Sequence, residues 1–391
     1  MKVFILLITF LTLVGCSSSS KKAPPKVQEM AVPILESVQI KAGPFIDQKT
    51  LSIKPLTSIG ENAESYFSPD GKKIIYHSQK RPEHLQSQIY ELNLASMRER
   101  RVTFHDGEDT DGVYTSDSNF ILYSSTTDEI KEENEAISSV MKTYAPHLAK
   151  KHSIASGLDF KPFEIYLSKT DGSQIFRITN SPGYDGEATM NPRGNKIVFV
   201  STRSGSADLY LIPFQFSDWT KKSVAQSAIV HPKIRRVSRM VASSAVFHPI
   251  HLTNDANYDA NPIFVPQTDQ ILWIKYAVDM KSSQIMLGDP LAKDARTLTS
   301  KVALHTTPFF NPITKELIFS SNRGDGVHMN LYTLDPSALC LKRLTDTGSD
   351  ETLPAFSPDG KRVLFTSNLS GRNQIYMMDY ISPHACLDEI P

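Results

Sequence analysis

Six times along the chain a polar residue, usually an acid, stands seven positions ahead of a recurring tight turn: Asn62, Asp109, Asp185, Asp259, His305 and Glu351. Two positions later a second column reads Glu64, Asp111, Glu187, Asn261, Thr307 and Leu353. If the first column converged on one axis, its carboxylates would repel one another unless a cation or a basic group balanced them. Asp109, Asp185, Asp259 and Glu351 are then candidate ligands for Ca²⁺, a hard ion that takes carboxylate and amide oxygens. A basic peptide entering at the same place would neutralise them equally well. The pattern requires no cofactor. The competing reading is local: Asp and Asn commonly bond backbone amides at strand starts and turns.

Catalytic signatures are absent from the sequence. It holds no GxSxG elbow, no HExxH, no Cys/His zinc spacing and no P-loop. His77, His305 and His328 fall in different repeats, and only His305 lies in the first column, so a histidine-rich metal centre is not expected. The chain therefore reads as a non-enzyme.

What could bring the columns together is the repeat itself. The clearest copies are FSPDGKKIIYHS from Phe67 and FSPDGKRVLFTS from Phe356; weaker ones start at Tyr114, Met190, Phe264 and Phe310, six in all. Their turn positions are Pro69, Ser116, Pro192, Pro266, Pro312 and Pro358. Each copy is preceded by a branched or leucine residue and a threonine: Leu56-Thr57, Val102-Thr103, Ile178-Thr179, Leu252-Thr253, Leu298-Thr299 and Leu344-Thr345. A third motif, QIYELN from Gln88 or QIYMMD from Gln374, lies between them. Proline's fixed φ and glycine's freedom suit the Pro-Asp-Gly turn between two strands dense in Ile, Val and Phe. Four short strands at a period near 46 residues describe a propeller blade. One such sheet cannot bury both faces; stacking around an axis does.

The expected architecture is all-β, a six-bladed propeller of four-stranded blades over residues 41–391. The last repeat lacks a Leu-Thr strand after Asp379, while Ser52 to Thr57 is spare, so the N-terminal strand is expected to complete the sixth blade and remove the open edge. The tail from Cys386 to Pro391 competes for that slot. Insertions interrupt the repeats at 129–162 and 214–248. The first has Ile130, Ile137, Val140, Met141 and Tyr144 on one helical face. The second is basic (Lys221, Lys222, Lys233, Arg235, Arg236, Arg239) and carries Phe214, Phe216 and Trp219, as a partner-docking or membrane-surface loop would; a solvated excursion is the alternative.

The N-terminus carries an address. Met1-Lys2 is a basic start, Val3 to Val14 an apolar run too short to span a bilayer, and Leu13-Val14-Gly15-Cys16 closes it. This resembles the lipobox of bacterial lipoproteins. It implies a signal peptide at 1–15, acylation of Cys16, and a lipidated flexible tether at 16–40 rich in Ser, Lys and Pro. Ser17, where an aspartate would favour inner-membrane retention, points to the outer membrane, facing the periplasm. The alternative is an ordinary signal peptide with a coincidental cysteine. Of the remaining cysteines, Cys340 and Cys386 occupy the same place in neighbouring repeats, which is too far apart for a bridge unless the tail folds back. Two separate thiols are the favoured reading and a disulfide the alternative. The chain has 42 basic and 42 acidic residues, which argues against a nucleic-acid binder.

The blades resemble the TolB-type, or PD40, β-propeller repeat over about Leu51 to Asp379. That resemblance implies protein or peptide binding at the channel mouth, with calcium sometimes present. It does not extend to the α/β domain that precedes the propeller in TolB-like proteins. The same repeat serves peptidase propellers and some sugar lyases. The expected function is a monomeric envelope lipoprotein that binds an envelope or periplasmic protein, related to Tol-Pal-type envelope integrity. The alternative is a metal-dependent glycan-binding protein or sugar lyase on the same propeller.

Overall fold

The computed structural model describes residues 29–33, 35–41, 50–127, 161–215, 228–229, 237–238, 247–300, 303–337, 340–383 and 386. Every repeat folds as an antiparallel sheet whose strands follow chain order outward from the axis. In blade one these are Glu61–Phe67, Lys73–Gln79, Gln88–Asn93 and Arg98–Arg101. The inner strands of the other five are Asp109–Tyr114, Asp185–Met190, Tyr258–Phe264, His305–Phe310 and Glu351–Phe356. Each inner strand packs beside the next, and Glu351–Phe356 returns to Glu61–Phe67, so the ring is closed. The all-β, six-bladed, four-stranded reading is the observed fold.

The apolar residues of the second and third strands do not form one central core. They form six clusters, one at each seam between neighbouring blades. The seam between blades four and five joins Leu272, Ile274 and Ile285 to Leu317, Phe319 and Tyr332, all 1 % exposed or less. Burying a side chain of this size contributes about 1.5–3 kcal/mol.

The Leu-Thr motif has a specific task. Its first residue donates its amide to the third strand, as Leu298 does to the Ile285 carbonyl at 2.8 Å. The threonine hydroxyl then accepts the amide that starts the third strand's run: Ile375 to Thr57, Ile89 to Thr103, Ile165 to Thr179, Leu209 to Thr253, Ile285 to Thr299 and Leu331 to Thr345, each at 2.9 Å. The side chain thus extends the ladder after the backbone has turned toward the next blade, leaving no buried amide orphaned.

The fourth strand of blade six is Thr50–Pro55, paired with Gln374–Asp379, so the N-terminal strand closes the ring. The tether boundary moves. Strand Val38–Lys41 adds a fifth strand to blade six, and Met30–Ala31 adds one to blade one. An outer strand offers an unpaired backbone edge, and the segment has apolar anchors to hold it there: Val32 is 7 % and Ile40 5 % exposed.

Because the N-terminal strand fills the slot, the C-terminal tail is free to cross back to blade five. Tyr380 donates to Glu316 at 2.8 Å and Ser382 to Glu316 at 3.1 Å. Cys340 and Cys386 are joined, with Cα atoms 5.1 Å apart. The expectation of two separate thiols is corrected: it placed both cysteines on equivalent outer strands, whereas Cys386 lies on no strand.

Two stability predictions follow from these contacts. Thr299→Val is expected to cost about 1–3 kcal/mol in denaturant unfolding by orphaning the Ile285 amide, with Thr299→Ser recovering most of it; an unchanged midpoint for valine would show that the bond contributes nothing. The Cys340–Cys386 bridge closes a 46-residue separation, for which loop-closure entropy suggests about 4 kcal/mol. Paired serine substitutions are expected to lower stability toward that extent and to remove any further response to reductant.

Candidate binding channel

The first acidic column does not converge. All six residues are 2 % exposed or less, and each is engaged where its blade meets the preceding one. Five of the backbone amides reach the start of the preceding blade's third strand, for example Asp109 to the Ser87 carbonyl at 2.8 Å and Glu351 to that of Met329 at 2.7 Å. The side chains bond close by. Asn62 donates to Gln374 at 2.8 Å, Asp109 lies 3.0 Å from His105 Nδ1, and Asp185 accepts from Arg203 at 2.7 Å. Asp259 accepts the indole N–H of Trp273 at 2.8 Å, His305 Nδ1 lies 2.9 Å from the Ser321 hydroxyl, and Glu351 accepts from Thr347 at 2.6 Å. Burial pushes Asp259 up to about 6 and Glu351 up to about 7, and His305 down to about 4. The acids expected to ligate Ca²⁺, Asp109, Asp185, Asp259 and Glu351, therefore sit in separate seams. Among the described residues no three His, Cys, Asp or Glu side chains form a metal-sized group.

The residues that line the channel are those of the second column. Every inner strand carries a bulge at the same place, between Ala63 and Tyr66, Thr110 and Val113, Gly186 and Thr189, Ala260 and Ile263, Thr306 and Phe309, and Thr352 and Ala355. Its first residue is left-handed in all six blades: Glu64, Asp111, Glu187, Asn261, Thr307 and Leu353 have φ between 46° and 56°. Such a bulge breaks the period-two alternation and re-aims a side chain. Three of the residues that follow are prolines, Pro262, Pro308 and Pro354, which suits a position that gives no amide to the ladder. The cavity so lined encloses about 510 Å³, including space open to solvent.

Its walls differ. On one side the carboxylates link blade to blade: Glu64 accepts the Asp111 amide at 3.0 Å, Asp111 that of Glu187 at 3.3 Å, and Glu187 that of Asn261 at 2.5 Å. The other side presents Thr307, Pro308, Phe309, Leu353 and Pro354, with Tyr66, Val113 and Ile263 completing the lining. Among the described residues the lining contains no Lys or Arg. Burial would raise Glu64, but the adjacent His77 ring at 2.9 Å and hydrogen bonds from Asp111 hold it near 2. Burial and the neighbouring charges of Glu64 and Glu187 push Asp111 well above the usual carboxylate range. Burial, with Glu64 adding, carries Glu187 up to about 7.

Several expectations from the sequence lie outside the described residues: Cys16 and its tether up to 28, the amphipathic run from Ile130 to Tyr144, and the basic residues, Phe216 and Trp219 of the second insertion. Phe214 is described, and it is no docking residue. It is fully buried in the seam between blades two and three and stacks on Phe247 at 5.9 Å.

Six closed four-stranded blades around a partly acidic channel define a β-propeller. Its residues 240–385 match the TolB beta propeller domain, PD40. TolB from Acinetobacter baumannii superposes with a TM-score of 0.54 at 16% identity, over 82% of this chain and 66% of that one. A putative TolB from Agrobacterium tumefaciens gives 0.51 at 14%, over 88% and 98%. An oligogalacturonate lyase in complex with manganese gives 0.52 at 12%, over 91% and 98%. At these identities the likeness is one of fold. No curated protein sequence matches.

The channel acids predict a pH dependence. Glu187 releases its proton at about 7 in the fold but near its ordinary 4.5 when unfolded, so it withdraws stability as pH rises through that window. Asp111, Asp259 and Glu351 act in the same direction. Glu64 does the opposite: its contribution is present above its ordinary 4.5 and is lost as pH falls toward 2. Glu187→Gln is therefore expected to flatten part of the fall in melting temperature between about pH 5 and 7. An equally steep fall in the variant would show that Glu187 is not among the groups responsible.

Proposed function

We propose that this propeller is a non-catalytic binding module of the bacterial envelope, held at the membrane through an acylated Cys16, that takes a protein or peptide segment at its channel. The observation that carries the reading is the two-sided lining: linked carboxylates on one wall, and an aromatic, proline-rich wall facing them. Such a surface combines a large apolar contact with a few placed polar groups, as binding sites do. A polyuronate chain would meet the carboxylate wall with like charge, which counts against a sugar lyase. Among the described residues no helix is long and apolar enough to cross a membrane, so membrane attachment in this reading rests on the lipid. A role in envelope integrity of the Tol-Pal type is the physiological setting we favour.

A photo-reactive phenylalanine analogue at position 309, expressed in the native cell, is expected to capture an envelope protein. The same probe at Ile313, 64 % exposed in a turn away from the lining, should not. The Cys16→Ser form should leave the membrane fraction and capture less. Equal capture from both positions would remove the channel from the reading.

A further inference from the structure

The carboxylates of the channel are short of positive charge. His77 meets Glu64 alone, and among the described residues the lining supplies no ammonium or guanidinium to Glu64, Asp111 and Glu187. A bare metal ion does not fit the geometry. The three acids are spread over three blades, each tied to a backbone amide of the next, and they do not gather into a metal-sized group. A group that brings a single positive charge and several directed N–H donors suits carboxylates spaced in this way.

The opposite wall carries an independent sign of a ligand. In blade two, Ser124 lies across from Thr110 and its hydroxyl reaches the Asp111 carboxylate at 2.7 Å. In blade one, His77 lies across from Ala63 and meets Glu64. The same register puts Ser320 across from Thr306 and Thr366 across from Thr352. No carboxylate stands there. Ser320 and Thr366 are 0 % and 1 % exposed, and their hydroxyls, like that of Thr307, have no hydrogen-bond partner. Buried donors left without an acceptor are costly. Of the three, Thr307 lines the channel, and its hydroxyl is the one that an incoming oxygen can meet.

We propose that the channel recognises a lysine side chain within a peptide. Its ammonium sits against Glu64, Asp111 and Glu187. Its methylenes lie along Tyr66, Val113, Ile263 and Phe309. A carbonyl oxygen of the same peptide accepts from the Thr307 hydroxyl. An aromatic face beside the carboxylates also favours a cation held between them. This names the group taken by the site proposed above and rests on that reading.

The test is titration calorimetry on the intact protein with a capped Gly-Lys-Gly peptide, its Nε-acetylated form, n-butylamine and calcium chloride. The capped peptide is expected to bind, with the acetylated form at least tenfold weaker. The free amine should bind more weakly than the peptide, because it brings no carbonyl. The paired substitution Asp111→Asn with Glu187→Gln keeps an acceptor oxygen for each backbone amide and should weaken the peptide at least tenfold. Thr307→Lys supplies an internal ammonium, so it should raise the melting temperature and exclude the peptide, a readout that does not depend on the acid variants folding. Equal binding of the acetylated peptide, undiminished binding by the acid variants, or a response to calcium alone would overturn the inference. If position 309 still captures its partner in that event, the channel reading survives and only the lysine is wrong; if capture fails as well, both fall.

Discussion

The architecture turns on one backbone constraint, the left-handed residue in the middle of every inner strand. A non-glycine residue in that region costs on the order of 1–3 kcal/mol, and this fold carries it six times, at Glu64, Asp111, Glu187, Asn261, Thr307 and Leu353. The surroundings hold it in place. On the outer side each inner strand is laddered to a largely buried second strand, and on the inner side three neighbouring pairs of bulges share a hydrogen bond. The carboxylate of one bulge caps the amide of the next from blade one to blade four. The same device that bends the strand toward the axis therefore builds the channel and stitches part of the ring.

That stitching is incomplete, and the incompleteness gives the channel its sides. The caps run as far as Asn261, whose side chain donates back to Glu187, and Thr307 and Leu353 carry no carboxylate. Blades one to four present linked polar groups, whereas blades five and six present Pro308, Phe309, Leu353, Pro354 and the unpaired hydroxyl of Thr307. A ring stabilised only by symmetry would have repeated the carboxylate. Departing from it here, at buried positions, leaves polar atoms unpaired, and natural folds concentrate such local costs at functional sites.

Much of the fold could be read from the sequence because the repeat carries its own physics. Pro-Asp-Gly at Pro69 and Pro358 marks the first turn, and the left-handed Gly71 and Gly360 in those turns show why glycine stands there. The Leu-Thr pairs counted the blades, and the spare pair at Leu56 revealed how the ring closes. The strands at Met30–Ala31 and Val38–Lys41 were hidden because they lie outside the repeat, directly after a Ser-, Lys- and Pro-rich stretch, although MAVPILESVQIK is itself largely apolar. The disulfide was hidden because equivalence in the repeat says nothing about a residue that has left the repeat. The site was half legible. Both columns were visible, but with strict alternation Asn62 and Glu64 point the same way, and only the bulge separates them. The signal for it lay in the small residues and prolines at Ser65, Gly112, Ala188, Pro262, Pro308 and Pro354, which a straight inner strand would not choose.

The two acid columns show how the same residue type does different work two positions apart. In the first, Asp109 meets His105, and Asp185 meets Arg203 together with Ser201 and Thr179, and both acids are buried. In the second, the acids face a shared space and push one another's protons on: Glu64 stays ionised near 2 while Glu187 rises to about 7. Groups held so far apart in proton affinity within one cavity are poised to exchange protons for another cation. The first column ties each blade to the one before it; the second holds carboxylates to which the described lining residues bring no Lys or Arg.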